Sequence, residues 1–280
     1  MDISIIIPCY NSGAYLSDAI DSISNSTNID TIAHEIIIVD DGSTDEYTLN
    51  FLKQLDKPNC VVLHQPNQGP ASARNTGVKA SNAAALLFLD SDNKIRPNFI
   101  CEALQALKKR KTDIVYGKPH FFGDINRDVF SPGPFKMNNI LLTNYIDMCS
   151  VMRKKVWERT GGFDEALVLI GFEDWEFWIR AGGAGYKFQF INQVFFDYRV
   201  NSNSLLASKN VKDNYDKVVD YVYEKHAKKV QKAYRTLYPQ LLIYERDQRL
   251  PFRSFFKFCY MKYIKPFYNH EKKWQKALKH

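Results

Sequence analysis

Apolar residues fall along the first part of the chain in two alternating rhythms. Uninterrupted runs rich in Ile, Val and Leu occur at residues 4–8, 35–40, 60–64 and 86–90. Between them, Leu16, Ala19, Ile20 and Ile23 repeat at three- and four-residue spacing and predict a helix over 14–23. A second helix is predicted over 72–80, and Asp41-Gly42-Ser43-Thr44-Asp45 reads as a turn leading into a helix cap. Short runs that are apolar on both faces, separated by helices, predict a parallel sheet covered on both sides. Ligands of such sheets sit beyond the carboxyl ends of the strands. The polar residues at those ends are Pro8-Cys9-Tyr10-Asn11, Asp40-Asp41-Gly42-Ser43 and Asp90-Ser91-Asp92.

Beyond residue 97 the rhythm loosens. A helix is predicted over 99–108, strands over 113–116 and 148–153, and a helix over 154–160 closed by Gly161-Gly162. A short helix over 173–181 precedes Gly182-Gly183-Ala184-Gly185, and most of 186–198 reads as strand. The glycine- and proline-containing stretch 121–139 reads as loop. Helical signals dominate after about residue 205, so an α/β domain over 1–205 and a helical extension over 206–280 are expected.

Composition narrows the class. Of 280 residues, 45% are hydrophobic and 25% charged, the mixture of a folded globular chain. The longest fully apolar run, 83–89, is far short of the ~20 residues of a membrane-spanning helix. Met1-Asp2-Ile3-Ser4 lacks the basic lead-in of a signal peptide, so the chain is expected to open on its first strand. Cys9, Cys60, Cys101, Cys149 and Cys259 are scattered and form no Cys-x-x-Cys, which predicts reduced thiols in a cytoplasmic protein. Charge is divided: 18 Lys and Arg face 7 Asp and Glu from residue 201 onward, against 20 and 24 before it. An excess confined to one end argues against a nucleic-acid binder.

Asp90-Ser91-Asp92 closes the fourth predicted strand. On an extended strand end, residues i and i+2 point the same way, so two carboxylates converge and their repulsion calls for a cation. Mg²⁺ and Mn²⁺ are held by one or two carboxylates together with phosphate oxygens. Standing alone, the tripeptide suits a solvated turn better, since it is common. Glu173-Asp174 opens a predicted helix, where acidic residues also serve capping and the helix dipole. The six histidines show no metal-ligand spacing.

Five segments in order resemble family 2 glycosyltransferases of the GT-A fold. They are Ser4-Ile5-Ile6-Ile7-Pro8-Cys9-Tyr10-Asn11, Glu35-Ile36-Ile37-Ile38-Val39-Asp40-Asp41-Gly42-Ser43, and Asn67-Gln68-Gly69-Pro70-Ala71-Ser72-Ala73-Arg74-Asn75. Leu87-Phe88-Leu89-Asp90-Ser91-Asp92 and Gly161-Gly162-Phe163-Asp164-Glu165 with Gly171-Phe172-Glu173-Asp174-Trp175 complete the set. The resemblance covers roughly residues 3–205. It implies an α/β GT-A fold, a mostly parallel sheet flanked by helices, and an inverting transferase of the surface-polysaccharide type.

The resemblance also assigns residues. Pro8, Tyr10 and Asp40 would hold the base and ribose of a nucleotide-sugar donor. Asn67, Gly69 and Arg74 would lie near the nucleotide, with a loop-bracing ion pair the alternative for Arg74. Asp90 and Ser91 would reach the donor, and Asp92 would bind Mn²⁺ or Mg²⁺ on the diphosphate. Asp174 would be the catalytic base, with Gly162, Glu173 and Trp175 on the acceptor side. Core packing is the alternative for Trp175 and Trp178. Arg199 would pair with the diphosphate or with a structural carboxylate. Asn93 and Asn201 stand where relatives often carry Asp and His, which leaves neither assigned to the metal.

The C-terminal end carries Phe252, Phe255, Phe256, Cys259, Tyr260, Tyr263, Ile264 and Phe267 at helical spacing, with Arg253, Lys257 and Lys265 mostly off that stripe and Lys272, Lys273, Lys276 and Lys279 beyond. Through 250–280 this suits either peripheral contact with an anionic membrane, on the inner face of the cell membrane, or packing against the first domain. The expected function is transfer of a sugar from a UDP-sugar to a glycan or lipid-linked saccharide. A sugar-nucleotide pyrophosphorylase would need a glycine-rich loop after the first strand, where this chain has Pro8-Cys9-Tyr10-Asn11-Ser12-Gly13. A dinucleotide oxidoreductase fails for the same reason. A non-catalytic glycan-binding or scaffold protein is disfavoured by the intact Asp90, Asp92 and Asp174.

Overall fold

The apolar runs become strands and the spaced segments helices in the computed structural model, which describes residues 1–109, 111–124, 131–167, 171–200, 209–260 and 262. Strands β1 (Ile3–Cys9), β2 (His34–Asp40), β3 (Cys60–His64) and β4 (Ala85–Phe88) alternate with helices α1 (Gly13–Ser24), α2 (Glu46–Gln54) and α3 (Pro70–Ala80). β1 pairs in parallel with β2 and β4, and β2 with β3. Ile3, Ile5, Ile6 and Ile7 are fully buried, and each such side chain is worth roughly 1.5–3 kcal/mol of burial. Local chemistry sets the helix starts: Asp45 accepts from the Thr48 amide at 2.8 Å, and Pro70 occupies the first turn of α3.

The second half completes the sheet with β5 (Lys94–Ile95), β6 (Ile114–Gly123), β7 (Val151–Arg153) and β8 (Phe188–Val200). The strand order is β3-β2-β1-β4-β7-β6-β8-β5. β7 runs antiparallel to β4 and β6, and β5 antiparallel to β8, so the sheet is mixed beyond β4. Helices α4 (Phe99–Lys108), α5 (Met137–Ile140), α6 (Lys154–Thr160) and α7 (Glu173–Gly183) flank it. The strand expected over 113–116 continues to Gly123 because it pairs with β8 as far as Val200. At Gly117 a Cβ would lie 2.5 Å from the Phe195 ring, and the ladder is irregular there. That extension and α5 shorten the loop expected over 121–139. The strand expected over 148–153 begins only at Val151.

The first compact unit runs to His226, past the boundary expected at residue 205. Helix α8 (Lys209–Lys225) belongs to it because Val218 and Val222 are buried and its last turn is anchored by charge. Tyr221 and Lys225 bond Asp164, and His226 meets the fully buried Glu176 at 3.0 Å. The second unit, Ala227–His280, contains α9 (Ala227–Arg249) and α10 (Pro251–Cys259). Among the described residues no helix is long and apolar enough to cross a membrane. Asn201, Tyr263, Ile264, Phe267, Lys265, Lys272, Lys273, Lys276 and Lys279 lie outside the described residues.

Candidate active site

Parallel pairing brings the carboxyl ends of β1, β2 and β4 to one edge of the sheet. Two side-chain ties fix the loops there. Asn11, in a left-handed conformation at φ 49°, accepts from the Thr44 and Asp45 amides at 2.8 and 3.1 Å. Asp41 accepts from the Gly69 and Gln68 amides at 2.8 and 3.0 Å and from Gln65 Nε2 at 2.7 Å. Gly42 allows this packing: at φ +74° a Cβ would stand 2.7 Å from the Asn67 amide nitrogen. Asp40, Asn67 and Gly69 thus surround one turn, with Pro8 partly buried and Tyr10 49% exposed beside it. Burial works to raise the Asp40 carboxyl, but hydrogen bonds from Ser43 and His64 outweigh it and hold the group below its ordinary value.

The acidic residues gather next to this turn. Burial and the charge of Asp90 push Asp92 up to about 6. Asp147, just ahead of β7, is pushed up to about 7 by burial and then by Asp90, with Asp92 adding to the effect. Asp174, in the first turn of α7, is also raised, by burial, by Glu173 and by Asp147. Asn144 donates to its Oδ2 at 2.9 Å and partly offsets the rise. The Tyr198 phenol is held well above its usual range by burial and by Asp147, Asp90, Asp92 and Asp174. One phenol therefore feels four carboxylates contributed by three different segments.

Arg74 is the cation inside this cluster. From α3 its Nη2 reaches Asp90 Oδ1 at 2.6 Å and its Nη1 bonds Glu173 Oε1. Burial works against its charge, yet Glu173, Asp90 and Asp174 keep it above its ordinary value. Arg74 Nε and Glu173 Oε2 are buried without a partner among the described residues. The structure thus adopts the bracing alternative for Arg74, and Glu173 is committed to that pair.

Other expected site residues have different work. Trp175 is 1% exposed and cannot touch an acceptor; its indole N–H donates to the Ile140 carbonyl at 2.5 Å. Trp178 does the same to Ile146 at 2.9 Å, so both tryptophans fasten the 140–147 segment onto α7. They thereby set Asn144 and Asp147 beside Asp174. Ser91 Oγ lies 2.7 Å from Ser12 Oγ, linking the β4 end to the start of α1. Arg199 is engaged structurally: it donates to the Asp92 carbonyl at 2.9 Å, pairs with Asp18 at 2.6 Å and packs over Tyr15 and Phe122. Asn93 accepts from the Arg199 amide at 2.8 Å. Gly162, at φ +78°, leaves room for Asn75, whose Oδ1 would lie 2.9 Å from a Cβ there. Its cavity of about 510 Å³ contains none of the acidic cluster.

Asp147, Asn144 and Tyr198 are the residues that sequence reasoning left without a role. The one available signal for Asp147 was a lone charge between Ile146 and Met148 in an otherwise apolar approach to a strand. Its meaning depends on β7 lying beside β4, which the pattern does not encode.

Among the described residues no three His, Cys, Asp or Glu side chains form a ready-made metal cage. Asp90 and Asp92 are the two hard oxygen donors that an Mg²⁺ or Mn²⁺ shared with phosphate needs. Arg74 compensates Asp90 and Glu173, while burial and then repulsion from neighbouring carboxylates keep Asp92 and Asp147 raised. A dication would relieve that repulsion, so the residues present fit one.

Residues 4–161 match the family described as Glycosyl transferase family 2. The chain is 36% identical to glycosyltransferase GlyG of Streptococcus pneumoniae over 121 residues, covering 41% of this chain and 38% of GlyG. It is 28% identical to chondroitin synthase of Pasteurella multocida over 225 residues, 75% of this chain and 22% of that one. In fold it resembles residues 1–349 of S. aureus TarS in complex with UDP-GlcNAc, with a TM-score of 0.60, 22% identity, and coverage of 74% of this chain and 61% of TarS 1–349. The chain thus spans less than two thirds of each of these proteins' lengths. The family match ends before α7, so Glu173 and Asp174 lie outside it.

Proposed function

The chain belongs to glycosyl transferase family 2, and from that premise we propose that it transfers a sugar from a UDP-sugar, with inversion, to a hydroxyl of a glycan or lipid-linked saccharide in polysaccharide synthesis. The observation that carries the reading is the convergence of Asp90, Asp92, Asp147 and Asp174 at the carboxyl edge of the sheet, around the Arg74 bridge. TarS, solved with UDP-GlcNAc, and chondroitin synthase support a nucleotide-sugar donor and a glycan product.

In this reading the base and ribose lie against Tyr10, Asp40 and the Asn67–Gly69 loop. Asp90 and Asp92 would hold Mn²⁺ or Mg²⁺, which when bound supplies charge neutralisation for the departing diphosphate. Asp174 accepts the proton of the acceptor hydroxyl as that oxygen bonds the anomeric carbon and the bond from that carbon to the diphosphate oxygen breaks. The proton ends on Asp174 and UDP departs with the electron pair. Asn144 bonds Asp174, and the buried tryptophans fasten the 140–147 segment beside it. The Phe172 ring, just ahead of Glu173, meets Tyr215 of α8 edge-on at 5.5 Å and forms a wall on the acceptor side. All five cysteines are free thiols, which suits a protein working in the cytoplasm where UDP-sugars are made.

UDP-sugars offered with Mn²⁺ or Mg²⁺ test the reading. Slow metal-dependent release of UDP is expected without acceptor, from one donor above the rest. A protein that binds UDP-sugar but releases no UDP with or without saccharide acceptors would be a glycan-binding or scaffold protein instead.

A further inference from the structure

The chain's excess of positive charge falls in one compact unit. Residues 227–280 hold 14 Lys and Arg against 3 Asp and Glu, a balance of +11, whereas residues 201–226 hold 4 of each. Within this unit α10 breaks the usual rule that aromatic side chains are covered. Phe252, Phe255, Phe256 and Phe258 are 81%, 61%, 69% and 56% exposed in a helix of nine residues. At about 100° per residue, Phe252, Phe255, Phe256 and Cys259 share one side, while Arg253 and Lys257 fall on the other. Lys257 is tied to Asp247 of α9 at 3.5 Å. Exposed Tyr234 and Tyr238, stacked at 5.1 Å, with Leu241 and Leu242, add apolar surface along α9.

Contiguous aromatic surface of this kind marks an interaction site, and charge chooses the occupant. A second copy would bring another +11 against the first, whereas an anionic bilayer attracts the unit and accepts its rings. Among the described residues no helix is long and apolar enough to cross a bilayer, so the exposed rings of α10 suit a surface orientation. We propose that the C-terminal unit docks the protein on an anionic lipid surface, with the phenylalanines of α10 at the acyl boundary and Arg253 and Lys257 among the headgroups. The inference does not depend on the donor or the chemistry of the first unit.

Sedimentation of the full-length chain with vesicles at low salt tests it. Wild type should pellet with phosphatidylcholine–phosphatidylglycerol vesicles and far less with phosphatidylcholine alone. F252S/F255S/F256S should lower the partition coefficient by at least about tenfold, and R253E/K257E should weaken the preference for anionic lipid. Circular dichroism and melting temperature should be unchanged in both variants, which verifies folding. Wild type that stays in the supernatant, or a triple-serine variant that pellets like wild type, overturns the proposal. So does self-association of wild type in lipid-free buffer that the triple variant loses while vesicle binding persists, since a second copy would then cover α10.

Discussion

Arg74 Nη2 lies 2.6 Å from Asp90 Oδ1, so one guanidinium from α3 fastens the acidic end of β4 while its other arm holds Glu173 at the start of α7. The end of β4, proposed for the donor, and the start of α7, proposed for the proton acceptor, thus share a single buried cation. Removing it leaves two carboxylates uncompensated, an arrangement that costs about 3–5 kcal/mol when a buried pair is broken from one side. Arg74→Ala should lower the urea midpoint sharply, and Arg74→Lys should restore only part, because one ammonium lacks the fork that serves both acids. A midpoint within experimental error of wild type for the alanine variant would mean that water solvates Glu173 and Asp90 and that the bridge is incidental.

The first four strands and Asp90-Ser91-Asp92 were legible in the sequence because buried parallel strands leave unbroken apolar runs and ligand-facing residues follow them. β6 was read too short for a physical reason: Lys118-Pro119-His120 carries no apolar alternation, and only pairing with β8 makes it strand. Asp174 was assigned by resemblance alone, whereas Asp147 and Tyr198 acquire meaning only when β7 and β8 are placed beside it. Arg74 could be recognised as important but not assigned, since its partners are 16 and 99 residues away. The anchoring of α8 by Asp164 and Glu176 was not legible because it is charge contact across the fold.

The crowding of carboxylates has a thermodynamic signature. An unfolded Asp ionises near ~3.9, whereas folded Asp92 and Asp147 hold their protons up to about 6 and 7 and Asp174 is raised as well. Between those limits the native state binds more protons than the unfolded state, so stability should fall as pH rises from about 5 to 8. Asp40, Asp164 and Glu176 act oppositely, being held below their ordinary values, and withdraw their support only at lower pH. Thermal melts of the metal-free protein should therefore peak near pH 5, and Mn²⁺ should raise the melting temperature more at pH 8 than at pH 5. A melting temperature that climbs steadily to pH 8 without metal would show that the cluster is solvated.

Asp92 tests the metal directly. Its backbone carbonyl is already occupied by Arg199, but its carboxylate faces Asp90 and is free to take a cation. Asp92→Ala should keep the fold, since it relieves repulsion, and lose most of the Mn²⁺-dependent part of UDP affinity in calorimetry. UDP affinity without metal should change little. Equal affinity of wild type and variant for UDP with Mn²⁺ present would remove Asp92 from the donor site.

Asp174 is the sharpest case, because its neighbour Glu173 offers an internal control. Glu173 is spent on Arg74, whereas Asp174 accepts from Asn144 and from the Trp175 amide. Asp174→Asn keeps the shape of the site but removes the proton acceptor, a loss worth ~10²–10⁴-fold in rate. It should bind UDP-sugar normally and melt no lower than wild type, since one member of a repelling group is neutralised. Glu173→Gln should show the reverse pattern: a lower melting temperature from the weakened Arg74 pair and a smaller loss of rate. Only the ionised base works, so kcat/KM of wild type should rise with pH through the range to which burial, Glu173 and Asp147 push Asp174. Asp147→Asn removes one of those charges and should move that limb toward lower pH while leaving a substantial rate. Near-normal transfer by Asp174→Asn, or a pH profile that Asp147→Asn does not move, would place the base elsewhere in the acidic cluster.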